Sequence, residues 1–180
     1  MRLFTAIEIP EPIKRQIRTS APHDRSLVPI KPEQLHLTLT FFGEIPEARL
    51  TDLKAALHGI RFPRFELHLD GNGFFPDNRN PRLFWIGIVP SPALRDLKGN
   101  IDAAAILPPE ERDFIPHITL FRFKSRPGAE LIARLTEQYH GLTAEPFAVN
   151  HFQLFASELT PDGAIHTCLE IFPARTEDCR

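Results

Sequence analysis

The sequence predicts an α+β fold of two related lobes with antiparallel pairing, on three observations. Apolar patterns of period two and period 3.6 alternate along the chain, yet several strands follow one another across short turns with no helix between them, unlike a doubly wound parallel sheet. Eighteen prolines in 180 residues argue against an all-helical protein and for many turns. Landmarks also recur: Arg2-Leu3-Phe4 as Arg82-Leu83-Phe84, His36-x-Thr38 as His117-x-Thr119, and loosely Phe65-Glu66-Leu67 as Phe147-Ala148-Val149, at offsets of 80, 81 and 82 residues. One order at nearly constant offset suggests an internal duplication. The expectation is a single domain of two lobes, about 1–78 and 79–173, with a polar tail at 174–180. A pseudo-twofold axis would relate the lobes, with the two His/Thr strands facing each other across it.

Each element has its own signal. Arg2 to Ile9 reads as a strand stopped by Pro10. A short helix follows, with Pro12 in its first turn and Ile13 and Ile17 four apart. Residues 20–34 read as loop with an extended piece at Leu27 to Ile30, and Leu35 to Phe42 as a strand closed by Gly43. Residues 46–58 form a helix with Leu50, Leu53, Ala56 and Leu57 on one stripe and Gly59 as its cap. Phe65, Leu67 and Leu69 alternate with Glu66, His68 and Asp70 as a half-buried strand, and Gly71-Asn72-Gly73 and Pro76-Asp77-Asn78 signal turns. In the second half, Arg82 to Val89 is a strand containing Trp85, and Pro92 to Ala105 is a helix. Pro108-Pro109 opens a charged loop, and Pro116 stands before the second His/Thr strand. Residues 129–140 form a helix ended by Gly141. Phe147 to Glu158 is a strand, and Thr160-Pro161-Asp162-Gly163 turns into a last strand, Ala164 to Phe172.

Composition bounds the function. A formal net charge of −2 supplies no global basic field for long nucleic acid, although a local arginine cluster can still hold a small anion or an RNA end. Cys168 and Cys179 make neither a disulfide framework nor a metal-ligand spacing, which points to a reducing cytoplasm. The stretch Met1 to Glu11 lacks the apolar core of a signal peptide, and no run approaches the ~20 apolar residues of a membrane span.

The chemistry concentrates in His36-Leu37-Thr38-Leu39 and His117-Ile118-Thr119-Leu120. On a strand, successive side chains alternate, so His36 and Thr38 share one face and Leu37 and Leu39 the other; the same holds for His117 and Thr119. A histidine and a hydroxyl on one strand face ordinarily amount to a polar surface pair, but two copies inside a repeat are harder to dismiss. Facing imidazoles can act as base and acid together, as phosphodiester hydrolysis requires, because water must lose a proton while the leaving alkoxide gains one. Threonine hydroxyls can donate to nonbridging oxygens. Zinc is the rival reading, yet no third ligand is tied to these motifs by spacing. There is no Walker-type glycine loop. The other histidines, His23, His58, His68, His140, His151 and His166, share no pattern and read as ordinary surface or part-buried residues.

The two motifs match the paired H-x-T-x motifs of the 2H phosphoesterase superfamily, and their context resembles the RNA 2′,3′-cyclic phosphodiesterase (2′-5′ RNA ligase) family. Arg2-Leu3-Phe4-Thr5-Ala6-Ile7, Pro32-Glu33-Gln34-Leu35, Phe41-Phe42-Gly43, Phe75-Pro76, Pro81-Arg82 to Trp85 and Leu154-Phe155 to Gly163-Ala164 also look similar, so the resemblance spans nearly the whole chain. It implies a bilobal α+β fold whose two antiparallel sheets form a central V-shaped cleft, with helices outside. It implies hydrolysis of 2′,3′-cyclic phosphate RNA ends to 2′-phosphomonoesters, with reversible ATP-independent 2′-5′ joining in some members. His36 would be the proton donor and His117 the acceptor, with Thr38 and Thr119 holding the phosphate; the residues alone are too symmetric to assign acid and base. Arg122 matches a phosphate-binding arginine of the family, but regular alternation puts it opposite His117 unless the strand ends or bulges after Leu120. Phe42 falls on the face of His36, where it could stack on a base, or it could be core. His166 stands where relatives often carry an aromatic residue.

The expectation is a monomeric cytoplasmic enzyme acting on RNA ends or nucleotides, without cofactor, metal, membrane or obligate protein partner. Two alternatives stay open: another 2H phosphodiesterase, acting on a small cyclic nucleotide or a 2′,5′-oligoadenylate, and a nucleotide- or RNA-end-binding module without turnover. A substrate panel separates the first, and 2′-phosphate binding without product formation marks the second.

Overall fold

A computed structural model of the chain describes residues 1–19, 22, 24–105, 113–142, 144–160 and 163–175. The expected loop around Pro108-Pro109, Pro161-Asp162 of the closing turn and residues 176–180 of the tail lie outside them. In chain order the elements are β1 (Arg2–Glu8), α1 (Glu11–Thr19), β2 (Leu27–Pro29), β3 (His36–Glu44), α2 (Leu50–His58), β4 (Phe65–Leu67), β5 (Leu69–Phe75), β6 (Leu83–Ile88), α3 (Pro92–Ala104), β7 (His117–Phe123), α4 (Ala129–Gln138), β8 (Phe147–Val149), β9 (His151–Thr160) and β10 (Gly163–Pro173). Short 3-10 turns at Pro32–Gln34 and Glu47–Arg49 lead into β3 and α2. Among the described residues the fold is α+β, with antiparallel sheets and four α-helices.

The helices form where the apolar stripes lie. Ile13 and Ile17 of α1, Leu57 of α2, Leu94, Leu97 and Ile101 of α3, and Leu131 and Leu135 of α4 join one core with Leu37, Leu39, Ile118 and Leu120 of the motif strands. Ser91 caps α3 by accepting from the Leu94 amide at 3.2 Å.

Two antiparallel halves, β10-β9-β1-β3 and β7-β6-β5, meet edge to edge. Their seam is a single pair, Leu37 with Ile118. β3 starts at His36, and farther along β7 the same edge is taken by β2, which pairs Leu27–Pro29 with Phe121–Phe123. A second small sheet joins β4 to β8, with Glu66 opposite Ala148. In both seams, positions about 81 residues apart pair antiparallel with each other, as a twofold axis between them generates. The last strands are exchanged: β5 pairs with β6 of the second half of the chain, and β9 with β1 of the first.

Three expectations about strand limits need correction. The half-buried strand expected over Phe65, Leu67 and Leu69 divides into β4 and β5, which belong to different sheets. Gly71-Asn72-Gly73 does not turn the chain: it runs inside β5, where the irregularity in pairing between Leu69 and Asn72 absorbs the positive φ of Gly71. The stretch expected as one strand from Phe147 splits into β8 and β9, which serve different sheets.

Candidate active site

The seam builds the site. Leu37 pairs with Ile118 in antiparallel register, and that register extended by one residue each way sets His36 toward Thr119 and Thr38 toward His117. Leu37 and Ile118 are fully buried, which commits the alternating residues to the outer face. On that register the two histidines are diagonal neighbours, a relation that in a regular sheet separates residues by about 7–8 Å with the Cβ atoms somewhat closer, and the two threonines occupy the other corners.

Both imidazoles are held by the same device. Nδ1 of His36 lies 2.7 Å from the Gln34 carbonyl, and Nδ1 of His117 lies 2.7 Å from the Ile115 carbonyl. A carbonyl only accepts, so Nδ1 carries the proton and Nε2 of the neutral ring keeps a lone pair. Aromatic rings wall each histidine. Phe4, Phe155 and His166 surround His36 at centroid distances of 5.1, 6.4 and 5.6 Å, and Phe75 and Trp85 flank His117 at 4.8 and 5.9 Å. Burial pushes the His36 pKa down to about 4, opposed by the Gln34 carbonyl and aided by the nearby His166 and His117. Burial also holds His117 below the ordinary histidine value, against the pull of the Ile115 carbonyl.

Beyond the motifs, both strands bulge at equivalent places. Thr38 pairs with Ala6 and Thr40 with Thr5, leaving Leu39 unpaired; Thr119 pairs with Trp85 and Phe121 with Phe84, leaving Leu120 unpaired. Each extra residue reverses the alternation. Thr40 and Phe121 turn inward and are buried, while Phe41 and Arg122 turn out. Arg122 thus shares the face of His117 and Thr119, and its charge reaches His166. Phe42 is corrected by the same bulge: it is 8 % exposed, in the core, and not on the histidine face. Phe41, 63 % exposed and 5.6 Å from the Phe4 ring, occupies that face instead. Behind the bulge, Thr40 donates to Asp102 of α3 at 2.6 Å, and Lys98 pairs with the same carboxylate at 2.7 Å.

The surrounding residues Gln34, Phe4, Phe75, Trp85 and Phe155 carry no functional signal of their own in the sequence; only their places in the family-like segments point to them. His166, read there as an ordinary residue, stands against His36. Among the described residues no group of three or more His, Cys, Asp or Glu is placed to hold a metal ion.

Two H-x-T-x strands paired so that four polar side chains share one face form the architecture of the two-histidine phosphoesterases. The family model described as LigT-like phosphoesterase matches the chain twice, over residues 7–85 and 86–166, and the chain belongs to that family. It is 34 % identical to a Thermus thermophilus protein named RNA 2′,3′-cyclic phosphodiesterase, covering 100 % of this chain and 93 % of the relative. It resembles the crystal structure of TT0787 of Thermus thermophilus with a TM-score of 0.83 at 31 % identity, covering 98 % of this chain and 100 % of that one. It also resembles E. coli LigT complexed with 3′-AMP, with a TM-score of 0.76 at 28 % identity over 97 % and 98 % of the two chains.

Proposed function

We propose that the protein hydrolyses 2′,3′-cyclic phosphate ends of RNA to 2′-phosphomonoesters. The observation that supports this reading best is the pairing of Leu37 with Ile118, which brings the two His/Thr strands side by side. The names of the relatives support the substrate class.

In the proposed reaction the phosphate sits between the imidazoles, with Thr38, Thr119 and Arg122 donating to its nonbridging oxygens. Nε2 of His117 takes a proton from water, whose oxygen attacks phosphorus. The bond to the 3′ oxygen breaks, and His36 delivers a proton to that oxygen from Nε2. His36 is unprotonated at neutral pH in the free protein, so it takes up its proton as the phosphate anion arrives and offsets the cost of its burial. Phe41 offers an exposed ring on the same face for a base to stack on. With a 5′-hydroxyl RNA end in place of water, the same forward transfers would join ends through a 2′-5′ bond without ATP: His117 takes the hydroxyl proton, the new P–O5′ bond forms, and the bond to the 3′ oxygen breaks as His36 protonates it. The protein is proposed to work as a cytoplasmic monomer, without a cofactor.

An oligonucleotide ending in a 2′,3′-cyclic phosphate tests the reading. The expected product, identified by phosphorus NMR, is the 2′-phosphomonoester, formed also in EDTA. A 3′-phosphomonoester, or binding without turnover, overturns it.

A further inference from the structure

A third imidazole borders the cleft. His166 lies on β10, and the β9–β10 hairpin curls back so that its ring meets those of His36 at 5.6 Å and Phe4 at 5.0 Å, nearly perpendicular to the first. Gln34 ties this arrangement together. Its side-chain amide donates to the Ala164 carbonyl on the hairpin, while its own carbonyl holds Nδ1 of His36. One residue thereby fixes both imidazoles relative to each other.

The two nitrogens of His166 have different surroundings. Nδ1 is buried and has no hydrogen-bond partner. Nε2 is not among the buried unpartnered atoms and bonds to none of the described residues, so it opens to solvent. A buried N–H without an acceptor gives up the hydrogen bond it had with water, whereas a bare buried acceptor is better tolerated. The proton of the neutral ring therefore sits on Nε2, the reverse of the tautomer at His36 and His117. Burial and the charge of Arg122 both lower the pKa of this imidazole, which keeps it in that neutral form.

We infer that His166 contacts the substrate, its Nε2–H donating a hydrogen bond to an oxygen of the phosphate seated between His36 and His117, beside the Arg122 guanidinium. The inference rests on the phosphodiesterase reading above. The cleft then carries two kinds of donor: histidines poised to exchange protons through Nε2, and one that only donates. A neutral donor orients the phosphate without adding a fixed positive charge that would retain the more highly charged product.

Two variants test it. His166→Phe keeps a ring against Phe4 and His36 but removes the donor, and His166→Gln puts an amide N–H close to the place of Nε2. Steady-state kinetics on a 2′,3′-cyclic nucleotide and calorimetric binding of the 2′-monophosphate are measured at neutral pH, with melting curves as the folding control. The Phe variant should lose roughly ten- to a hundredfold in kcat/KM, the span of a hydrogen bond to a charged group. It should weaken product binding in step, and the Gln variant should recover most of both. Wild-type values in the Phe variant, or equal loss in both variants at unchanged melting temperature, overturn the inference. If the wild type turns over no cyclic substrate, the functional reading falls instead, and weaker 2′-monophosphate binding by the Phe variant still upholds the contact.

Discussion

His36 and His117 each donate Nδ1–H to the carbonyl two residues behind, so each neutral ring keeps its lone pair on Nε2. General acid–base groups contribute typically ~10²–10⁴-fold each, so His36→Ala and His117→Ala should each lower kcat on a cyclic substrate by that order, with melting curves as the folding control; near-normal turnover by either folded variant refutes the assignment. The pH dependence follows from the pKa directions. The reaction needs one imidazole protonated and the other not, and burial holds both below the ordinary value near 6.5. Rising pH strips the donor, and falling pH protonates the acceptor. The bell in kcat/KM should therefore peak on the acid side of pH 6.5, with activity declining from there toward pH 8; a maximum at pH 8 contradicts it. The neighbouring phenylalanines should separate cleanly. Phe42→Ala empties a core position and should cost about 3–5 kcal/mol of stability. Phe41→Ala should leave stability within about 0.5 kcal/mol and raise KM for an RNA end, as titration of both variants with denaturant and substrate would show.

Bulges and close approaches act at the scale of the element. The unpaired Leu39 and Leu120 re-aim the residues that follow, so one β-strand offers an aromatic ring and its equivalent a guanidinium to the same face. On β5 the constraint is space. A Cβ at Gly73 would stand 2.4 Å from the Trp85 indole, which itself packs beside His117. Gly73→Ala must therefore displace the indole, the protein's single tryptophan. The expected result is a changed tryptophan emission together with a lowered kcat, at a stability cost of about 1–3 kcal/mol. Unchanged emission with full activity would mean that the indole does not brace His117.

At the scale of the whole molecule, the exchange of β5 and β9 makes the two halves depend on each other. β5 has β6 as its partner, and β1 has β9 along one of its edges. The fragment 1–81 would leave β5 without a partner and one edge of β1 open, exposing unpaired amides and the apolar residues beneath them. It should stay unfolded or aggregate when made alone, by circular dichroism and amide dispersion in NMR, and gain structure when mixed with 82–180. A folded, monomeric 1–81 would show that the seam is not needed for stability. The seam is where one strand from each half of the chain carries a histidine and a threonine on the face opposite the buried Leu37 and Ile118.

The sequence by itself determines that two strands each carry a histidine and a threonine on one face, because period-two alternation is local and Leu37 and Ile118 anchor the other face. It determines the helices too, since Leu94, Leu97 and Ile101, or Leu131 and Leu135, need only a period of 3.6 to form a stripe. What only the tertiary structure decided depends on partners far away in sequence. A bulge exists because one strand has a residue that its neighbour does not match, so the burial of Phe42, the exposure of Phe41 and the face of Arg122 are set by β1 and β6 as well as by the motifs. The strand through Gly71-Asn72-Gly73 forms because β6 supplies partners that outweigh local turn preference. His166 enters the site only because the hairpin carrying it folds back onto Gln34, a contact spanning 130 residues that no local pattern encodes.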